Sequence, residues 1–200
     1  MTSNDFISNP EGETKALGNL TSHITNDGSP SLRNSHFQES FHCKSGAKKE
    51  AEEKFLIPSQ VDRFKKRKEL YVLDVCLGMG YNSASLMEAI FKTQTYLNWW
   101  GLEIDQRPLK TALKTPGFRK NWSINVIKTL ESIQNIGNWN TTTSQGKILW
   151  GDARQKLTLI PSHINFDLII HDAFSPNKCP QLWSEEFLKH LAMKLKSNGR

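Results

Sequence analysis

From Leu70 to Leu77 the sequence reads LYVLDVCL, an apolar, β-branched run that closes on glycine, and Asn82 to Lys92 (NSASLMEAIFK) follows with helical spacing. That order spells strand, tight turn, helix. It returns along the chain. Leu97–Ile104 (LNWWGLEI) reads as strand, Pro108–Lys114 as helix, Trp122–Ile136 as a longer helix and Lys147–Trp150 as strand. Phe166–His171 (FDLIIH) reads as strand and Ser184–Lys196 as helix. Parallel neighbours need crossover connections, and near-continuously apolar strands are those buried on both faces. The pattern therefore predicts an α/β fold with a doubly wound, mostly parallel sheet.

Residues 1–34 are rich in Ser, Thr, Asn, Gly and Pro and nearly lack aromatic side chains. Such a segment buries too little to offset its ordering entropy, so a disordered polar leader is expected there, with one domain over 35–200. At its start, ESFHCKSGAKKEAEEKF turns to good helix formers after Gly46, with Ala47, Ala51 and Phe55 spaced i, i+4, i+8. The last residues, LKSNGR, look like a helix end stopped at Gly199, after which another strand would normally begin. Without one, the strand near Leu168–Ile170 would be an exposed apolar edge. The sheet is therefore expected to lack its C-terminal strands, through truncation or completion by another chain.

Lys plus Arg number 26 against 20 Asp plus Glu, a net charge of +6 that suits a polyanionic partner such as RNA. The densest basic run, Arg63, Lys65, Lys66, Arg67 and Lys68, could touch phosphates or simply be solvated. The N-terminus holds Asp5 and Glu11 and no apolar run of seven or more, so neither a signal peptide nor a membrane span is expected and the chain is read as cytoplasmic. Cys43, Cys76 and Cys179 lack the spacing of a zinc site or disulfide framework and are read as reduced thiols. His42 and His171 stand singly, which favours packing or hydrogen bonding over metal binding.

Asp74–Asn82 reads DVCLGMGYN, with Gly78 and Gly80 between strand and helix, where glycines allow a sharp turn and close approach of backbone to a ligand. A dinucleotide fingerprint would place glycine where Ser83 stands, which disfavours NAD or FAD. Glu103 ends the next strand, where a carboxylate can accept hydrogen bonds from both ribose hydroxyls. Asp152 follows the strand KILW, placed either to meet an adenine amine or to cap the helix beginning near Arg154. All three parts sit at strand carboxyl ends, where open α/β sheets bind ligands, and together they point to an adenosine-containing cofactor.

After the fourth strand comes HDAFSPNKCPQLW, residues 171–183, stiffened by two prolines. Here the sequence resembles the MnmC-type tRNA methyltransferases, whose strip reads D-x-F-x-P-x-K-x-P-x-x-W. Asp172, Phe174, Pro176, Lys178, Pro180 and Trp183 match it. Gly78-Met79-Gly80-Tyr81-Asn82 resembles that family's G-T-G-x-N turn, with Met79 in place of threonine, and FHCKSGAKKEAEEKF resembles its lead-in element; the likeness spans about residues 39–200. The resemblance implies a class I, Rossmann-like fold that binds S-adenosylmethionine (SAM) through Gly78, Gly80, Asn82, Glu103 and Asp152, without metal and without FAD in this chain. It further implies N-methylation of the aminomethyl group on the wobble uridine of a tRNA anticodon loop, that amine being made by a separate enzyme. A carboxylate near the methyl group could take the proton the acceptor amine must lose, and Asp172 is the candidate base. Phe174 and Trp183 could stack on a flipped-out base or pack the loop, and Lys178 could meet a phosphate or solvent. The rival readings are an aminopropyltransferase of the spermidine synthase type, a non-catalytic SAM- or RNA-binding remnant, and, weakened by Ser83, a nicotinamide-dependent reductase.

Overall fold

The computed structural model describes residues 17–200, and the first sixteen residues of the expected leader lie outside it. The four expected strands form the parallel part of one five-stranded sheet. They are β4 (Glu69–Val75), β5 (Tyr96–Glu103), β7 (Ser144–Trp150) and β8 (Leu168–His171), and a short β6 (Asn138–Asn140) joins antiparallel in the order β6-β7-β5-β4-β8. This is the doubly wound, mostly parallel sheet that the alternating pattern calls for.

Helices cover both faces, and strand alternation decides which side chains meet them. Leu70, Val72, Leu97, Trp99 and Ile148 share one apolar cluster with α3 (Tyr81–Ile90), α4 (Arg107–Lys114) and α6 (Ile124–Ile136), the short α5 (Pro116–Arg119) adding Phe118. Leu73, Val75 and Leu102 face the other way, onto α7 (Ala153–Leu157), Phe166 and α8 (Glu185–Met193). Trp99 and Phe118 are wholly buried, each contributing on the order of 2–3 kcal/mol through apolar transfer. Ser123 and Ser184 cap α6 and α8, accepting from the N–H of Val126 and Phe187. Both helices therefore begin later than the periodicity alone suggests.

The leader expectation fails from residue 17 onward. Leu20–Ile24 (β1) and Pro30–Asn34 (β2) form an antiparallel hairpin, and Glu39–Ser40 (β3) adds to it as a second, three-stranded sheet. The hairpin folds because its polar groups are spent on one another. Asp27 accepts from Thr25 Oγ1 at 2.8 Å, from Ser29 N at 2.9 Å and, across to the next helix, from Lys49 N at 3.1 Å. That helix begins as α1 (Ala47–Glu50), passes through a π-helical stretch over Ala51–Leu56 and ends in α2 (Ile57–Ser59).

As expected, β8 is an edge strand. Part of its outer side is paired: Arg200 N donates to Asp167 O at 3.0 Å and Ile169 N to Arg200 O at 2.8 Å. The basic run precedes β4, so it lies at the end of the sheet opposite the strand carboxyl ends. There Arg67 pairs with Asp167 at 2.7 Å and Arg63 donates to Asn198 O at 2.7 Å. No helix among the described residues is long and apolar enough to cross a membrane.

Candidate active site

Strand β4 ends at Val75, and the chain turns through three left-handed residues before α3 begins: Cys76 (φ 69°), Gly78 (φ 55°) and Gly80 (φ 86°). Glycine takes such angles freely, whereas Cys76 holds one at a cost of roughly 1–2 kcal/mol. The turn is held from the neighbouring strand: Cys76 N donates to Leu102 O at 2.8 Å and Gly78 N to Glu103 Oε2 at 2.7 Å. Ser83, where a dinucleotide site would want glycine, is buried and used by the core. Its hydroxyl donates to Asp74 Oδ2 and accepts from Trp99 Nε1 at 2.8 Å.

Beside this turn opens a cavity of about 490 Å³, the size of a small-molecule site. Of the expected residues, Gly78, Glu103, Asp172 and Phe174 line it; Gly80, Asn82, Asp152, Lys178 and Trp183 do not. Glu103 Oε1 accepts from the N–H groups of Ile104 and Asp105 at 2.7 and 2.8 Å. Burial still pushes its carboxyl up to about 7, against those three backbone donors. A ligand bringing hydroxyl donors would favour the charged form, as ribose does.

Asp172 stands at the end of β8, its N–H donating to Val75 O at 3.2 Å. Asn82, in the first turn of α3, donates through Nδ2 to Asp172 Oδ2 at 2.8 Å. Asn82 thus acts on the acid rather than lining the cavity. Burial raises the Asp172 carboxyl to about 6, the Asn82 hydrogen bond pulling against it. Asp74, fully buried between Asp172 and Glu103, is likewise pushed up to about 7 by burial, and its Oδ1 has no hydrogen-bond partner among the described residues.

The proline-stiffened strip is locked into the fold. Phe174 is stacked on Phe37 at 4.5 Å between ring centroids and meets Phe41 edge-on at 5.0 Å. Ser175 donates through N and Oγ to a Glu39 carboxylate oxygen at 3.1 and 2.9 Å. Trp183 Nε1 donates to Phe174 O at 2.7 Å, and its ring packs on His171, whose Nε2 meets Leu182 O at 3.0 Å. Packing is therefore the role the structure gives Trp183. Lys178 is exposed and has no salt-bridge partner among the described residues. Asp152 caps α7, accepting from Arg154 N at 2.9 Å, and pairs with the Arg154 guanidinium.

Further cavity residues come from the N-terminal part of the fold, among them Phe37, Glu39, Phe41, Glu50 and Lys54. Phe37 lies between β2 and β3, and Glu39 opens β3, where the sequence reads only as leading into a helix. Glu50 and Lys54 lie in the lead-in element, where the sequence showed a helix but not which side faced the cavity. His42 is held by Ser31, Nδ1 to Oγ at 2.9 Å, and burial lowers it to about 4, consistent with the expected packing role. No cluster of three His, Cys, Asp or Glu side chains capable of holding a metal occurs among the described residues.

Residues 112–200 match the model of a family described as S-adenosyl-L-methionine-dependent methyltransferase. Among solved structures, MnmC2 from Aquifex aeolicus superposes with a TM-score of 0.77 at 25% identity, covering 91% of this chain and 58% of that one. The fold is that of a class I SAM-dependent methyltransferase. A spermidine synthase complexed with a transition-state analogue shares the fold at a TM-score of 0.53 and 14% identity, over 90% of this chain and 52% of its own. An uncharacterized protein of Methanocaldococcus jannaschii is 31% identical over 177 residues, which is 88% of this chain and 47% of that protein. The chain thus spans about half the length of the relatives it matches.

Proposed function

We propose that this chain is the catalytic domain of a SAM-dependent N-methyltransferase that acts on the aminomethyl group of a tRNA wobble uridine, giving methylaminomethyl-uridine. The observation that carries the reading is Asp172: a cavity-lining carboxyl raised to about 6 and oriented by Asn82, sharing its cavity with Glu103. The likeness to MnmC2 and the D-x-F-x-P-x-K-x-P-x-x-W strip support the tRNA acceptor.

The residues fit the cofactor. Gly78 brings backbone against the cavity, where a Cβ would come 3.2 Å from the Phe41 ring, and Glu103 presents a carboxylate for ribose hydroxyls. The carboxyls of Glu103 and Asp172 suit a ligand that carries hydroxyl donors and positive charge. When bound, SAM supplies an electrophilic methyl group on a sulfonium. Asp172 would take the proton from the incoming ammonium, leaving the nitrogen lone pair free as the nucleophile for that methyl group. Asn82 fixes the acid for that transfer.

Phe174 shapes the acceptor wall with its remaining exposed edge, Lys178 is free to meet a backbone phosphate, and Trp183 holds the loop. Adenine contact through Asp152 requires its pair with Arg154 to open. Incubation with methyl-labelled SAM and tRNA with or without the aminomethyl group tests the reading. Label entering only the aminomethylated tRNA supports it; label entering neither, or both equally, contradicts it.

A further inference from the structure

Three Glu–Lys pairs at i,i+4 follow one another on the lead-in helix: Lys48–Glu52, Lys49–Glu53 and Glu50–Lys54. The first two are ordinary exposed pairs, worth at most about 1 kcal/mol. The third differs. Both of its residues line the cavity, and the Glu50 side chain is only 13% exposed whereas that of Lys54 is 61% exposed. Glu50 is also fixed by the backbone, accepting from Cys43 N through Oε2 at 2.7 Å, which leaves Oε1 for the Lys54 ammonium. It stands where the helix widens into the π-helical stretch, a distortion common at functional sites. Glu50 and Asp172 sense each other: the Glu50 charge pushes the Asp172 carboxyl up, and the Lys54 charge pulls it down.

We propose that Glu50 is the seat for the ammonium of the acceptor, and that Lys54 occupies this seat until the acceptor displaces it. The inference rests on the methyl-transfer reading above and adds the residue that selects a cationic amine. A primary amine arrives protonated at neutral pH, so before it gives its proton to Asp172 it is a cation in search of a carboxylate. A fixed, mostly buried Glu50 supplies one, and an exposed, flexible Lys54 leaves at little cost. Binding enters through Glu50 and proton transfer through Asp172, so the two carboxylates separate in KM and kcat.

Steady-state kinetics with aminomethylated tRNA and saturating SAM test this on the wild type, Glu50→Gln and Lys54→Met. Gln keeps an oxygen for Cys43 N but loses the charge, and the exposed Lys54 site tolerates Met, so a folded variant remains even should Glu50→Gln misfold. Glu50→Gln is expected to raise the acceptor KM about tenfold or more, the loss of one charged hydrogen bond, with kcat much less affected. Lys54→Met is expected to lower the acceptor KM, because the competing cation is gone. SAM affinity, by calorimetry, stays within about twofold in both. An unchanged KM in Glu50→Gln, or a KM raised in Lys54→Met, overturns the proposal and makes the pair a structural brace. A wild type that binds SAM but transfers no methyl group overturns the underlying reading, and the proposal with it.

Discussion

Asn82 Nδ2 donates to Asp172 Oδ2 at 2.8 Å, joining the first turn of α3 to the end of β8 across the mouth of the glycine turn. The hydrogen bond favours the charged carboxylate, which is the form that can take a proton. Asn82→Leu removes it, and a charged hydrogen bond of about 1.5–3 kcal/mol corresponds to a rise in the Asp172 pKa of about one to two. Activity requires the carboxylate, so it is lost as pH falls through about 6 in the wild type. In the variant it is lost already near neutrality. The pH dependence of kcat/KM measures this directly.

Asp74 gives the opposite kind of prediction, one about stability. Its buried carboxyl titrates near 7 against an ordinary 3.8, which corresponds to about 4 kcal/mol against the charged form. Because the folded value is the higher, stability from this group is complete below the unfolded pKa and is lost as pH rises toward 7. Asn keeps an oxygen for the Ser83 hydroxyl and carries no charge. Asp74→Asn should therefore raise Tm more at pH 8 than at pH 5, as thermal melts at the two pH values will read out.

Gly46 sits against Asp27 so closely that a Cβ would fall 2.1 Å from Oδ2 and 2.7 Å from the Asp27 Cβ. Asp27 cannot swing away freely, being tied to Thr25, Ser29 and Lys49. Gly46→Ala is expected to destabilise by about 1–3 kcal/mol, a Tm drop of several degrees in differential scanning calorimetry.

Glu39 links the N-terminal sheet to the strip through Ser175 N and Oγ. Glu39→Ala should release that link while leaving the parallel sheet intact. Hydrogen exchange is expected to speed up in residues 30–41 and 173–178 and to stay unchanged in β4 and β5.

The parallel sheet was legible because its strands are apolar on both faces, so that runs such as LYVLDVCL stand out from everything around them. The hairpin was not, because β1 (LTSHI) and β2 (PSLRN) are short and mix polar with apolar side chains, so neither stands out as an apolar run. Ser29, Ser31 and Asn34 are buried because each finds a polar partner elsewhere: Ser29 Oγ accepts from Lys48 N, Ser31 Oγ meets His42 Nδ1 and Asn34 Nδ2 donates to Leu17 O. Asn26-Asp27-Gly28 between Ile24 and Pro30 was the turn signal that could have exposed it. In the site, Glu103, Gly78 and Asp172 were readable as strand-end residues, whereas Glu50 and Lys54 reach the cavity from a helix distant in sequence. Asp152 was open between cofactor contact and helix cap, and the structure shows the cap.

On the proposed function, Asp172 serves SAM-dependent methylation of an aminomethyl-uridine. Nucleoside mass spectrometry of aminomethylated tRNA, incubated with SAM and either the wild type or Asp172→Asn, tests it most directly. Methylaminomethyl-uridine is expected from the wild type, with the variant slower by about 10²–10⁴-fold at unchanged SAM affinity. Equal product from both proteins, or none from a wild type that binds SAM, would contradict it.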